Sequence, residues 1–232
     1  NGNQVLHLFK PGKRDWKNRL IAVLAAAVVL PFLYSGHDKP SQLQQAQQRG
    51  SLTMLTRNGA SSYFIGSEGG TGPEYEIAAA FANYLGMDIE VKIADAFADL
   101  GTLLYSRQGE LIAANLTRNP AREKRFNFGP DYAVTTTIVV YKRGNIRPRK
   151  LPDLLGKRLS VIAGSSYEAL LEKAQKTLPE LQWTAENNMG MQDLLLAIAD
   201  GDVDATLVDS NIYKINSQYY PGLDIGFTFA NN

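Results

Sequence analysis

Residues 103–113 read LLYSRQGELIA, and residues 195–205 read LLAIADGDVDA. The second stretch repeats the first at an offset of 92 residues. Each has an apolar helical run, a glycine (Gly109, Gly201), an acidic residue (Glu110, Asp202) and then a strand. Around the first copy, strand candidates at 52–56, 89–93 and 111–116 alternate with helices at 74–85 and 98–107. The 74–85 run (EYEIAAAFANYL) places Ile77, Ala78, Phe81 and Leu85 on one helical face, and Gly86 ends it. Around the second copy, strands at 138–142, 159–163, 181–185, 204–208 and 223–229 alternate with helices at 166–176, 191–200 and 211–219. Such alternation predicts parallel α/β units with right-handed crossovers. The expectation is two α/β lobes of similar size, joined near residues 141–145. A plainer reading stays open: any αβ unit places Gly and Asp at these points.

Carried to the strand ends, the same offset pairs Thr117 with Asp209. In open parallel α/β sheets, ligands bind beyond the carboxyl ends of the strands. Two facing lobes would then form a cleft viewed by Thr117 from one side and Asp209 from the other. Beyond Thr117, Asn119 can N-cap a turn that starts at Pro120 and carries Arg122 at its third position. A guanidinium there matches both oxygens of a carboxylate. Equally, Arg122 reads as a solvated cation beside Arg118, Lys124 and Arg125. Ser165 and Glu168 fit an S-x-x-E capping box, and the helix start at Ser165 and Ser166 suits an anion or is simply capped. Asp209, acceptor-only, suits an ammonium group or N-caps the helix that follows. Tyr63 and Phe64 either wall the cleft or pack in the core. The glycine-rich run 66–72 (GSEGGTG) lacks the Lys-Ser/Thr of a phosphate loop and reads as a flexible loop. Together these groups describe a receptor for an amino acid or peptide, with no evident catalytic pair.

Composition narrows the alternatives. With 44% hydrophobic residues in a 232-residue chain, a sizeable core is possible and wholesale disorder is not expected. Twenty-four Lys+Arg against 23 Asp+Glu leave a net charge of +1, which argues against nucleic-acid binding by bulk charge. There is no cysteine, and the two histidines, His7 and His37, precede the α/β region. Thiolate metal sites, cysteine nucleophiles and His-based triads are thereby disfavoured, and no metal or cofactor is expected.

The N-terminal stretch stands apart. Lys10, Lys13, Arg14, Lys17 and Arg19 precede an uncharged run over 20–36. A helix of that length spans roughly 25 Å, near the lower limit for crossing a bilayer. A cleaved signal peptide is the alternative, but large residues, Leu33 and Tyr34, stand where cleavage favours small ones. The expectation is a basic cytoplasmic tail (1–19), a membrane anchor (20–36) and a Gln-rich tether (37–50) with a short helix ended by Gly50. Lobe 1 (51–142), lobe 2 (143–226) and a return strand (227–232) follow, outside the cytoplasm.

Several motifs resemble a known family. Residues 74–86, Asn115-Leu116-Thr117-Arg118-Asn119-Pro120-Ala121-Arg122 and 126–132 (FNFGPDY) resemble the type II periplasmic solute-binding proteins that serve as amino-acid receptors. The resemblance implies a two-lobed periplasmic-binding-protein-like α/β fold with parallel-core sheets, here preceded by one transmembrane helix. It implies that Arg122 grips the ligand carboxylate, helped by Thr117, that Asp209 takes the amino group, and that Ser165 and Ser166 add hydrogen bonds. Asn115 lies in the same motif, and Tyr63 matches the aromatic wall loosely. The anchor and tether, with 140–149 (VYKRGNIRPR), 163–168 (AGSSYE) and 219–221 (YYP), resemble more narrowly the membrane-bound lytic transglycosylase F family. There a solute-binding domain precedes a lysozyme-like murein lyase domain. That resemblance implies a membrane-associated periplasmic module of the Gram-negative envelope, near peptidoglycan. It would bind a murein-derived peptide or amino acid to control a lyase whose catalytic Glu lies downstream of this chain. An importer receptor for amino acids is the alternative.

Overall fold

The computed structural model describes residues 40–231. The expected tail, anchor and start of the tether lie outside the described residues. Among the described residues no helix is long and apolar enough to cross a membrane. Helix α1 (Gln42–Arg49) ends at Gly50, whose φ of 77° suits a residue without a Cβ. Its buried Ala46 packs against Leu52 and Met87.

The first lobe is built on β1 (Ser51–Thr56), the hairpin β2 (Phe64–Gly66) and β3 (Gly69–Thr71), α2 (Pro73–Tyr84), β4 (Asp88–Ile93), α3 (Leu100–Tyr105) and β5 (Leu111–Ile112). Strand β1 lies between β4 and β5, parallel to both. Its side chains alternate as a strand requires: Leu52 and Met54 face α1 and α2, and Leu55 packs with Leu100 beneath α3. Two features differ from the sequence reading. The run 66–72 is largely hairpin rather than free loop, because β2 and β3 pair antiparallel. Helix α2 buries Glu74, Ala78 and Ala82, while Ile77 and Phe81 are exposed. Small alanines let the helix approach the sheet closely, and that approach decides which face turns inward.

The chain passes α4 (Pro120–Glu123) and crosses to the second lobe before β6 (Thr136–Lys142). That lobe continues with β7 (Ser160–Ile162), α5 (Ser166–Gln175), β8 (Thr184–Glu186), α6 (Met191–Asp200), β9 (Ala205–Asp209), α7 (Ser210–Asn216) and β10 (Leu223–Asn231). Strand β6 pairs antiparallel with both β9 and β10. It therefore belongs to the second sheet, so the crossing precedes residue 136 rather than falling at 141–145. Strands β7 and β8 pair in parallel, and Leu159 bridges to Ala205 beside them. Successive β6 residues feed opposite cores. Ile138 and Val140 join Leu194, Leu195 and Ile198, and Val139 joins Leu171, Leu181 and Leu207. The second sheet is thus covered on both faces by helices, as an α/β lobe demands.

Candidate functional site

Beyond β5 the chain turns sharply at Asn115, whose φ is 54°; Asn tolerates the left-handed region better than most residues. Its amide donates to the carbonyl of Ser61 (3.2 Å) and to the Ser62 hydroxyl (2.9 Å), which ties the turn to the loop after β1. Two residues on, Thr117 sits at the head of α4. Asn119 Oδ1 accepts from the Arg122 N–H at 2.9 Å, with Pro120 at the first helical position.

This cap aims Arg122 across the cleft. Its Nη1 donates to the Thr117 carbonyl (2.9 Å), and its Nη2 to the Gly164 carbonyl of the second lobe (3.1 Å). The guanidinium lies 5.7 Å from the centre of the Phe97 ring. Burial lowers its pKa, and nearby Tyr167 and Asp209 oppose that shift; arginine stays cationic throughout.

The opposing wall is the turn into α5. Gly164 has φ 70°, and a Cβ there would sit 3.1 Å from the Cβ of Ala98 in the first lobe. The expected capping box is not formed, because Glu168 reaches past the N-cap. Glu168 accepts from the Gly164 N–H at 2.8 Å, but the Ser165 hydroxyl makes no capping bond. Ser166 Oγ lies 3.3 Å from Thr117 Oγ1, a second polar link between the lobes.

Asp209, at the end of β9, is 3% exposed. Thr137 Oγ1 donates to its carboxylate at 3.0 Å, and the hydroxyls of Tyr167 and Thr117 also bond to it. Burial raises its pKa, while those three hydroxyls and then Arg122 pull it back down. Tyr167 is buried and its pKa is raised, chiefly by burial and then by Asp209. Thr117, Arg122, Ser166 and Asp209 thus form one connected cluster, drawn from both lobes.

Two cavities flank it. The smaller, about 80 Å³, lies between the loop 57–62 and residues 189–192, with Ser165, Ser166 and Asn115 in its wall. The larger, about 350 Å³, is lined by Glu74, Thr117, Tyr132 and Asp209, and again by Asn115. Arg122 lines neither. Tyr63 also lines neither: it is 9% exposed and packs against Tyr75 (ring centres 5.4 Å apart) within the first-lobe core.

Sequence reasoning missed Phe97, Tyr167 and Glu74. Glu74 is 5% exposed, accepts from the Tyr132 hydroxyl and the Asn115 N–H, and has its pKa raised by burial. Its place in the first turn of α2 reads as an ordinary helix-start acid, so no local signal separates it.

The family described as bacterial extracellular solute-binding proteins, family 3, matches residues 52–219, most of the chain. The chain belongs to this family. Among its relatives, the membrane-bound lytic murein transglycosylase F of Ectopseudomonas mendocina is 37% identical over 207 residues, covering 88% of this chain and 42% of that protein. That of Pseudoalteromonas translucida is 35% identical over 216 residues, covering 93% and 46%. The chain thus spans less than half the length of these curated relatives. Holo ArgBP from T. maritima shares the fold with a TM-score of 0.71 at 21% identity, covering 81% of each chain. An ancestral arginine-binding protein bound to arginine has a TM-score of 0.71 at 25% identity, covering 79% of this chain and 81% of that one. Against this family frame, the two-lobed α/β arrangement expected from the repeat is present from β1 to β10. Its sheets are parallel around β1 and β7, with antiparallel additions at β6 and β10.

Proposed function

We propose that this chain is the solute-binding module of a membrane-bound murein lytic transglycosylase. It takes a small zwitterion, an amino acid or murein-derived peptide, between its lobes, and occupancy controls a lyase domain elsewhere in the full-length protein. The observation that carries the reading is the bridge from Arg122 to Gly164, with Thr117, Ser166 and Asp209 in the same cluster. A ligand carboxylate that replaces the two carbonyls on Arg122 gains a charge-assisted, bidentate partner. Asp209 supplies the opposite charge for an ammonium group, and Ser165 and Ser166 supply neutral polar atoms. Asn115 holds the loop that carries Ser61 and Ser62, and Tyr63 packs behind it. Because both lobes contribute, ligand binding favours the closed arrangement and can shift it only by the differential affinity. The relatives' names support the murein context and membrane attachment, and the family's extracellular description supports a place outside the cytoplasm. The amino-acid-binding neighbours support the ligand class.

The test is calorimetric titration of the full 232-residue chain with murein tetrapeptide and with free amino acids, on wild type and Arg122→Ala. Tetrapeptide binding lost in the variant supports the reading. Tight binding of a free amino acid with no tetrapeptide binding keeps the zwitterion cleft but favours an importer receptor over the murein module. Absence of any binding by folded protein refutes it.

A further inference from the structure

We propose that the basic segment 142–158, at the end of the second lobe away from the cleft, docks on the anionic headgroup layer of a lipid bilayer, with Ile146 entering that layer. The proposal is independent of the solute-binding reading above and of the uncharged run over 20–36.

The chain as a whole is nearly neutral, but its charge is not evenly spread. Residues 142–158 (KRGNIRPRKLPDLLGKR) hold seven of the 24 Lys+Arg and one acid, Asp153. Asp153 is engaged with the backbone, where its Oδ2 accepts from the Arg149 N–H at 2.8 Å. Two acids from elsewhere reach the segment. Arg158 pairs with Asp204 at 2.7 Å, and Arg143 lies 3.8 Å from Asp224. Lys142, Arg147, Arg149, Lys150 and Lys157 make no ion pair among the described residues. Like charges gathered in one short stretch repel, and an anionic partner relieves that repulsion.

The fold places this surplus at one end of the lobe. Strand β6 begins near Asp209, which pairs with Thr137, and ends at Lys142. The segment therefore leaves the second sheet at the end opposite the Asp209 cluster, so a partner there leaves the cleft free. The chain turns at Gly144, whose φ is 94°, and the Asn145 N–H donates to the Lys142 carbonyl at 3.2 Å. Arg147 Nε and Nη2 both donate to the Gly226 carbonyl of β10, at 3.0 and 2.9 Å. Pro148 is buried against the same glycine. Between these fixed points Ile146 is 84% exposed. The turn is ordered before any partner arrives, so docking costs little further entropy.

One exposed isoleucine is ordinary by itself. Set between Arg143 and Arg147 it has the form of a membrane-surface contact: an aliphatic tip reaches the acyl boundary while the cations stay among the phosphates. The segment has no aromatic side chain, the usual platform for stacking on a base or a sugar. That favours a lipid surface over a nucleic acid or a glycan strand.

The chain has no cysteine, so Ile146→Cys carries a single environment-sensitive fluorophore. Tyr84→Cys carries the control label, at a position 85% exposed on the first lobe. Each labelled full chain is added to phosphatidylcholine vesicles with and without phosphatidylglycerol. The label at 146 is expected to shift to the blue only with the anionic lipid and to be quenched from the acyl chains, while the label at 84 does neither. Arg149→Gln and Lys150→Gln, added together, remove two cations whose side chains make no bond among the described residues. They should lower the equilibrium constant read from the 146 label roughly thirtyfold, about fivefold per cation. Raised salt should weaken it in the same sense. Equal responses with and without phosphatidylglycerol, or equal responses at 146 and 84, overturn the proposal, because the uncharged run over 20–36 would then account for them. A response at 146 that ignores both salt and the two substitutions overturns it as well. So does no response to vesicles at all; a label at 146 that then responds to isolated murein sacculi would make the partner the wall polymer instead of the bilayer.

Discussion

Arg122 reaches out of the first lobe and donates to the backbone carbonyl of Gly164 in the second, 3.1 Å away. The carbonyl that accepts belongs to the turn where Gly164 meets Ala98 of the facing lobe. The cation therefore sits where the two lobes touch, and a ligand carboxylate must compete with peptide oxygens for it. That competition is favourable, since a full negative charge offers a stronger bond than a neutral carbonyl.

Arg122→Ala is expected to lower ligand affinity by about 2–5 kcal/mol, a loss of at least roughly 30-fold, as for truncation of a buried charge pair. Ser166→Ala removes one neutral hydroxyl whose contact with Thr117 is already long at 3.3 Å. It should cost about 1 kcal/mol, or roughly fivefold. Calorimetry on both variants checks the ranking, and equal losses would deny Arg122 its role as the carboxylate anchor.

The repeated glycines make a second prediction. Gly201 caps α6 with φ 92°, so Gly201→Ala should cost about 1–2 kcal/mol through backbone strain. Gly109 has no such conformation. A Cβ there would lie 2.6 Å from Leu55 Cγ and 3.0 Å from the Thr53 carbonyl. Gly109→Ala should cost about 1–3 kcal/mol through overpacking. Asparagine separates the causes, because it tolerates positive φ but still carries a Cβ. In denaturant unfolding, Gly201→Asn should recover part of the loss and Gly109→Asn none.

Those glycines also show what the chain reveals of itself. The offset of 92 identifies two equivalent αβ units, and period alone places most strands and helices. The reason for each glycine is not local: in the first lobe Arg107, not Gly109, takes the positive φ of 57° after α3. The inward face of α2 is likewise set by how closely alanines approach the sheet, which no periodicity encodes. At the site, Asn119, Pro120 and Arg122 are legible because a cap is a short-range motif. Phe97 and Tyr167 are not, because each acquires its role from a partner in a distant segment. Tyr63 was open between cleft and core, and packing against Tyr75 and Met54 decides for the core.

Glu74 makes a prediction about pH. Burial raises its pKa in the folded protein above the ordinary carboxylate range, against the pull of Tyr132 and the Asn115 N–H. The folded state therefore holds this proton more tightly than the unfolded chain does. The contribution of Glu74 to stability is complete below the unfolded pKa and is lost as pH rises through the folded one. Glu74→Gln keeps an acceptor for Tyr132 and cannot ionise. Its melting temperature relative to wild type should rise between about pH 4 and pH 7. A difference that stays flat or falls over that interval would show that the buried carboxylate is fully compensated.

Asp209 is satisfied within the protein before any ligand arrives: Thr137, Tyr167 and Thr117 all bond to its carboxylate. Asp209→Asn keeps the shape and one acceptor oxygen, and hydroxyls can rotate to meet the new amide, so the fold should tolerate it. The negative charge is what disappears. If that charge holds the ligand's ammonium group, affinity for an amino acid should fall by about 1.5–3 kcal/mol, the usual worth of a hydrogen bond to a charged group. Affinity for the des-amino counterpart should stay nearly unchanged, because it has no ammonium to lose. Acidification should mimic the substitution in wild type. The Asp209 pKa is raised from 3.8 by burial, so the carboxylate protonates before an ordinary aspartate would, and amino-acid binding weakens first. Calorimetry with the amino acid and its des-amino counterpart on both proteins gives the answer. Equal losses for the two ligands would mean that Asp209 shapes the cleft without touching the amine.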